Sequence, residues 1–317
     1  MTQNTKTRNR CPVCNGKSSH HYITTRAHMH VPNNEEYRFN ECAQCKSVFL
    51  QNPVPQQELH RYYSKAYLPY RGASAWGKFS DFVKRSDEKL NRSRVNTVRN
   101  VINLKPDTRV LDLGCGKPDF LQALQKRYNC RCYGIDFSSE GWKNANYSSL
   151  NLTQGDIHDV EFDHQFDVIT AWHYLEHDYH PQKTVKRLLE LLKPGGLFIF
   201  EVPHHESITA AAQKQNWQGW HTPRHLTLFS TAGIRKLFPG AQWTQVKYKK
   251  RGTLDAFTLW WLGHRQKHNT DWSASMEKHF WPLVFLKVVT APFFALERFL
   301  PMGIQTGIFK NKTTNDR

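Results

Sequence analysis

Residues 110–120, VLDLGCGKPDF, constrain this chain more than any other stretch. An apolar run (Val110, Leu111, Leu113) enters a tight turn at Gly114, Cys115 and Gly116, and helical spacing follows over 119–128. A strand that feeds a glycine turn and then a helix brings backbone N–H groups and a helix N-terminus up to a ligand. Alone, such a turn fits many nucleotide-binding folds. The elements after it narrow the choice.

Strand and helix patterns alternate downstream. Strands are expected over 109–113, 131–135, 151–154, 167–171 and 197–202, and helices over 119–128, 138–146 and 182–192. Lys193-Pro194-Gly195-Gly196 reads as the end of the last helix and the start of a strand. A helix over 230–237, a strand over 242–248 and a final strand over 304–309 complete the set. This alternation predicts an α/β fold, a doubly wound sheet of seven strands covered by helices on both faces.

Charge divides the chain. The net charge of +17 splits into +11 over residues 1–105, −1 over 106–241 and +7 over 242–317. A near-neutral core between basic flanks suits a polyanionic partner: nucleic acid, anionic lipid headgroups or a phosphorylated substrate. The N-terminal MTQNTKTRNR holds no apolar run. A cytoplasmic protein is therefore expected, without a secretory signal.

Four of the seven cysteines form two C-x2-C pairs, Cys11/Cys14 and Cys42/Cys45. Thiolates spaced this way on two knuckle turns can face one structural Zn²⁺. His20, His21, His28 and His30 lie between the pairs, but four cysteines already close a tetrahedral site, so these read as strand residues. Cys115, Cys130 and Cys132 read as core or turn residues.

The domain organisation that follows is a zinc ribbon over 1–55, a helical linker or lid over 56–105, a core over 106–251 and 304–317, and a hydrophobic helical insertion over 252–303. The linker is rich in tyrosine (Tyr62, Tyr63, Tyr67, Tyr70). The insertion holds AFTLWWL (256–262) and FWPLVFLKVVTAPFFALERFL (280–300). The second stretch has the length of a bilayer span but is broken by Pro282, Lys287, Pro292, Glu297 and Arg298. Aromatic residues with flanking Lys and Arg instead suit helices lying in a membrane interface; a helical lid over the substrate pocket is the alternative.

The order LDLGCG (111–116), YGIDFS (133–138), QGDI (154–157), FDVITAWHYLEH (166–177) and LLKPGG (191–196) resembles a class I S-adenosylmethionine-dependent methyltransferase with a Rossmann-like core. The resemblance covers about residues 76–250 plus the last strand. It implies that Gly114 and Gly116 let the backbone approach the methionine end of the cofactor, and that Asp112 helps to hold the amino group. It further implies that Asp136 accepts the ribose hydroxyls, and that Asp156 and Ile157 meet the adenine edge and face. His173 and Tyr174 would sit where the sulfonium meets the acceptor. One departure stands out: Pro118 replaces a third glycine. Proline is tolerated in the first turn of a helix, so the fold should survive it.

CPVC, C-x2-C-x-S-V-F-L-x-N-P-x-P (42–55) and RYYSKAY (61–67) resemble the zinc-ribbon extension of bacterial methyltransferases that modify sugars, glycans or lipid-linked small molecules. GWHTPRHLTLFS (219–230) resembles their histidine-rich loop, which makes His225 a candidate base. His177 resembles the histidine of the LEH motif of quinone O-methyltransferases. His173, the pair His204/His205 and His221 are further candidates, since imidazole suits proton removal near neutral pH. Arg224 could clamp a phosphate or carboxylate.

The reading that follows is S-adenosylmethionine-dependent methyl transfer to a small, lipid-linked or amphipathic acceptor (a sugar, a glycolipid or a quinone), with structural zinc and peripheral membrane contact through 254–300. Two alternatives stand beside it. An RNA methyltransferase would suit the basic flanks, although AWHYLEH is not an Asn-Pro-Pro-Tyr motif. A non-catalytic S-adenosylmethionine-binding protein would suit Pro118.

Overall fold

The computed structural model describes residues 7–29, 35–63, 67–143 and 147–312. His30 and the last three residues of the expected 138–146 helix lie outside them. Strands β1 (Ser19–Arg26), β2 (Glu36–Cys42) and β3 (Val48–Leu50) form an antiparallel N-terminal ribbon. Short α1 (Leu68–Arg71) and long α2 (Ser80–Arg99) lead to the central sheet.

That sheet contains β4 (Arg109–Leu113), β5 (Arg131–Asp136), β6 (Asn151–Gln154), β7 (Phe166–Trp172) and β8 (Leu192–Pro203). Helices α3 (Asp119–Tyr128) and α4 (Pro181–Leu191) are crossovers. After β8 come α5 (Ile208–Gln213), β9 (Thr227–Leu228), α6 (Thr231–Leu237) and β10 (Trp243–Lys249). Helices α7 (Ala256–Lys267) and α8 (Phe280–Ala295) make up the insertion, and β11 (Ile304–Asn311) closes the chain.

The seven strands run in the order β6-β5-β4-β7-β8-β11-β10, parallel up to β8 and antiparallel beyond it. Successive residues of β4 serve opposite faces. Leu111 and Leu113 join α4 and α6 on one side, while Val110 joins α2 and α3 on the other. Val185, Leu188 and Leu191 of α4 are buried at helical spacing, and full burial of each is worth roughly 1.5–3 kcal/mol. The doubly wound sheet expected from the alternation is the observed one.

Two local outcomes differ from expectation. Residues 138–143 form turns instead of a helix, because the Asp136 carboxylate captures the Ser138 N–H and Gly141 packs against the glycine turn. β8 begins at Leu192, so Lys193-Pro194-Gly195-Gly196 lies within the strand, with Gly195 at φ +77°. Pro118 fits as foreseen: it is the N-cap of α3, and its carbonyl accepts from Gln122 N.

The ribbon shares elements with the core. β9, from the histidine-rich loop, pairs with β3 as the fourth strand of the ribbon sheet. Leu226 N donates to Glu176 O and Leu50 N donates to Leu226 O, so one hydrogen-bonded path runs from the core to the ribbon. Cys42, Cys45 and Phe49 are buried in the same cluster as Leu111, Phe198 and Phe200.

Candidate active site

β4 delivers the glycine turn to the C-terminal edge of the sheet, where ligands of open α/β sheets bind. Gly114 and Gly116 have φ +64° and +46°, a region that L side chains rarely adopt. Gly114 lies under Tyr174, so a Cβ would come 2.7 Å from the ring. At Gly116 a Cβ would meet nothing within 4 Å, so the turn faces open space. Gly114 N and Cys115 N both donate to Ile135 O, tying the turn to β5.

Asp136, at the end of β5, accepts from Gly116 N at 2.9 Å and Ser138 N at 3.0 Å. Burial raises its carboxyl, and these two N–H groups oppose that shift. The carboxylate and the open turn therefore form one structure, and the remaining lone pairs of Asp136 are suited to hydroxyl donors. Asp112 is buried within β4 and accepts from Thr170 Oγ1 at 2.6 Å; burial pushes its carboxyl up to about 7. Asp156 accepts from His158 N and starts a turn, while Ile157 is buried in the core. Tyr63 packs on Phe137, the residue after Asp136, with ring centroids 5.5 Å apart. The tyrosine-rich segment thus borders the site.

The histidines separate into two groups. His173, His177, His221 and His225 converge beside Tyr174. His204 and His205 do not: His204 faces Glu206, and His205 packs against Tyr22 of the ribbon. His177 and His225 meet edge to face at 4.6 Å. His225 Nδ1 lies 2.7 Å from Gly219 O and His177 Nδ1 3.1 Å from Arg224 O. A carbonyl only accepts, so each Nδ1 carries the proton and each Nε2 carries a lone pair. Burial lowers both imidazoles, His225 well below the ordinary range. They are neutral bases. His221 contacts Tyr67 Oη through Nε2 and Gln218 through Nδ1.

His173 has the opposite character. Its Nδ1 is 3.3 Å from Glu176 Oε1 and its Nε2 is 3.2 Å from Glu201 Oε1. Burial alone would lower it, but the two carboxylates outweigh burial and hold it at about 9. It is an imidazolium bridging two buried acids. Arg224 is also committed: its guanidinium is buried and donates to the carbonyls of Tyr62, His28 and Met29. Those bonds and the Tyr67 ring 4.3 Å away leave it no face for a phosphate or carboxylate clamp.

Among the described residues, two groups could hold a metal ion. The four ribbon sulfurs lie within 4.8 Å of one another, with Cys11–Cys45 and Cys14–Cys42 each at 3.6 Å. Tetrahedral Zn–S bonds of about 2.3 Å place sulfurs roughly 3.8 Å apart, so the cluster fits zinc. Asn15 and Lys46 take positive φ to turn the two knuckles. Glu176, His177 and His225 form the second group, at the same spacing limit.

Glu176, Glu201 and Thr170 were not legible as site residues. Glu201 lies in an apolar run and Thr170 in a strand, and only their three-dimensional neighbours reveal them. Glu176 lies within LEH, where the histidine carries the stronger local signal. Gly141 had no signal at all, yet a Cβ there would come 2.1 Å from Gly116 O.

Over 137 residues the sequence is 26% identical to a ubiquinone biosynthesis O-methyltransferase of Neisseria meningitidis serogroup C, an alignment covering 39% of this chain and 55% of that protein. A demethylmenaquinone methyltransferase of Staphylococcus carnosus is 26% identical over 156 residues, 47% of this chain and 61% of that one. The chain thus spans a little over half the length of these curated relatives. Among solved structures, a cyclopropane synthase from Mycobacterium tuberculosis is similar with a TM-score of 0.49 at 14% identity, covering 69% of this chain and 83% of that one. The methyltransferase domain family matches residues 82–248, which is over half of the chain and includes the glycine turn, Asp136 and the converging histidines. The chain belongs to that family.

Proposed function

We propose that this protein methylates a quinone-type, amphipathic small molecule. The observation that carries the chemistry is the pair of neutral imidazoles, His177 and His225, beside the glycine turn. Of the acceptors open from sequence (sugar, glycolipid, quinone), the names of the two curated relatives favour the quinone. Bound at the turn, S-adenosylmethionine supplies a methyl group on a positive sulfur, which is its own leaving group. The open side of the turn at Gly116, with Asp112 and Asp136, would hold its amino-acid end and ribose, and Asp156 and Ile157 would border the adenine. Zn²⁺ on Cys11, Cys14, Cys42 and Cys45 fixes the ribbon.

His225 Nε2 would take the proton of the acceptor hydroxyl, leaving its oxygen as the nucleophile for the methyl group. The phenolic O–H has a pKa of about 10, so a positioned base is needed at neutral pH. His177, 4.6 Å away, orders the His225 ring and stands as the second candidate base. His173 stays protonated and fixes Glu176 at the far side of His225. We infer a ribbon over 1–55, a linker over 56–105, a core over 106–251 and 304–317 and an insertion over 252–303, with the protein working on the cytoplasmic face of a membrane and the insertion in contact.

The test is transfer of labelled methyl from S-adenosylmethionine to a catechol-type quinol precursor and a demethylmenaquinol in detergent. Transfer to either is expected. Cofactor binding by calorimetry with no transfer to either quinol, but transfer to a sugar acceptor, would replace the quinone reading.

A further inference from the structure

Helix α8 presents a large apolar surface that the fold leaves uncovered. Residues Glu277–Arg298 have the length and composition to cross a membrane, and little of that stretch is buried. One side is occupied: Phe280 stacks on Phe79 at 3.8 Å, Phe294 meets Phe257 and Trp260, and Lys287 pairs with Asp255. The other side carries Trp281, Phe285, Val288 and Phe299, which are 66%, 67%, 69% and 82% exposed. Their spacing keeps them near one face of the helix. A helix fastened along its length cannot stand across a bilayer without giving up those contacts, so its geometry is that of an in-plane helix.

A basic cleft adjoins this helix. Lys247 and Lys249 of β10, with Arg251, line a cavity of about 280 Å³ closed on its other side by Ser93 and Thr97 of α2. Among the described residues, none of these three cations forms an ion pair. Burial and the neighbouring Lys247 and Arg251 charges lower Lys249, as expected where positive charge is crowded. Gly252 also lines the cleft, and Glu297, in the last turn of the apolar stretch, lies within reach of the Arg251 charge. Further exposed cations, Lys84, Arg85, Lys89 and Arg92, run along α2.

We propose that α8 and this cleft together form a docking surface for an anionic lipid bilayer, with the apolar face in the acyl boundary and a phosphate headgroup in the cleft. Charge complementarity selects the occupant, because an apolar face bordered by unpaired cations matches a surface that is both apolar and negative. A second copy of this chain, itself strongly basic, would be repelled there. Each cation near an anionic surface adds on the order of fivefold in affinity. The proposal deepens the amphipathic-acceptor reading by naming where the acceptor is met, but its evidence is independent of the catalytic residues.

The experiment is sedimentation of the full chain with phosphatidylcholine vesicles, with or without phosphatidylglycerol. Binding should be at least tenfold stronger with phosphatidylglycerol. Phe285→Ser/Val288→Ser and Lys247→Glu/Lys249→Glu should each reduce it tenfold or more, at unchanged melting temperature. Inorganic phosphate that binds the soluble protein tightly but leaves vesicle binding intact would assign the cleft to free phosphate and overturn the headgroup role. Equal binding to both vesicles, unchanged binding by the variants, or a dimer dissolved by the serine variant would overturn the docking surface. Methyl transfer to the quinols in detergent should persist in both variants, which separates failure of lipid docking from failure of the methyl-transfer reading.

Discussion

His225 Nε2 lies 3.9 Å from Glu176 Oε1, and its other nitrogen is fixed by Gly219 O. The lone pair of this imidazole thus points toward a buried acid, across a gap that holds no direct hydrogen bond. His225→Ala should lower turnover by roughly 10²–10⁴-fold, the span of general-base contributions. Cofactor affinity measured by calorimetry should stay within about twofold. Unchanged turnover would move the base to His177.

Protonation of the base sets the acid limb of the rate. Burial lowers His225 well below its ordinary value of 6.5, and the Gly219 carbonyl opposes that shift only in part. The imidazole is therefore already neutral at pH 6.5, and activity is lost only as pH falls through the depressed value. A pH profile of kcat/KM should be flat from about 8 down past 6.5. An acid limb centred near 6.5 would exclude both buried histidines as the base.

His173 titrates the other way. Its folded value, about 9, lies above the unfolded 6.5, so its contribution is complete below 6.5 and is lost as pH rises through 9. The shift corresponds to on the order of 3 kcal/mol. His173→Gln should lower the melting temperature most at pH 6, and the gap to the parent protein should narrow by pH 9.5. A constant gap would mean that the ring acts by packing alone.

The ribbon cysteines should bind one zinc per chain, released by Cys42→Ser or by chelation. Because Cys42, Cys45 and Phe49 share a hydrophobic cluster with β4 and β8, metal removal should lower a single melting transition of the whole chain. Calorimetry showing an early, separate ribbon transition would contradict this coupling.

The two site glycines should respond differently to alanine. Gly116→Ala meets only the backbone strain of φ +46°, roughly 1–2 kcal/mol, but puts a methyl into the open side of the turn. Cofactor affinity should fall more than stability. Gly114→Ala adds a 2.7 Å contact with Tyr174 to its strain, so its melting temperature should fall further. Equal losses in both variants would mean that the turn does not face the cofactor.

The sheet was legible because its central strands, β4, β7 and β8, are buried on both faces and read as apolar runs between helices of fixed spacing. The turn and Asp136 were legible because a positive-φ turn and a strand-end carboxylate leave local signatures. Over 138–143 turns replace the expected helix for a local and a tertiary reason: the Asp136 carboxylate takes the Ser138 N–H, and Gly141 packs against Gly116, which no helical propensity records. Arg224 looked like a ligand clamp since sequence shows a guanidinium but not the three carbonyls around it. The histidines were found as a set, yet their division into neutral His177/His225 and charged His173 depends on Glu176 and Glu201. Those acids come from different segments and meet only in the fold.

The pairing of β9 with β3 sets a limit on how this chain can be reorganised. The loop bearing His225 reaches the core at Glu176 O and the ribbon at Leu50 N, through the two ends of one residue, Leu226. A shortened chain that began after the ribbon would keep the glycine turn and Asp136 and lose the strand against which the histidine loop is paired. Recombination could therefore exchange the insertion between relatives, but the ribbon and the histidine loop would have to travel together.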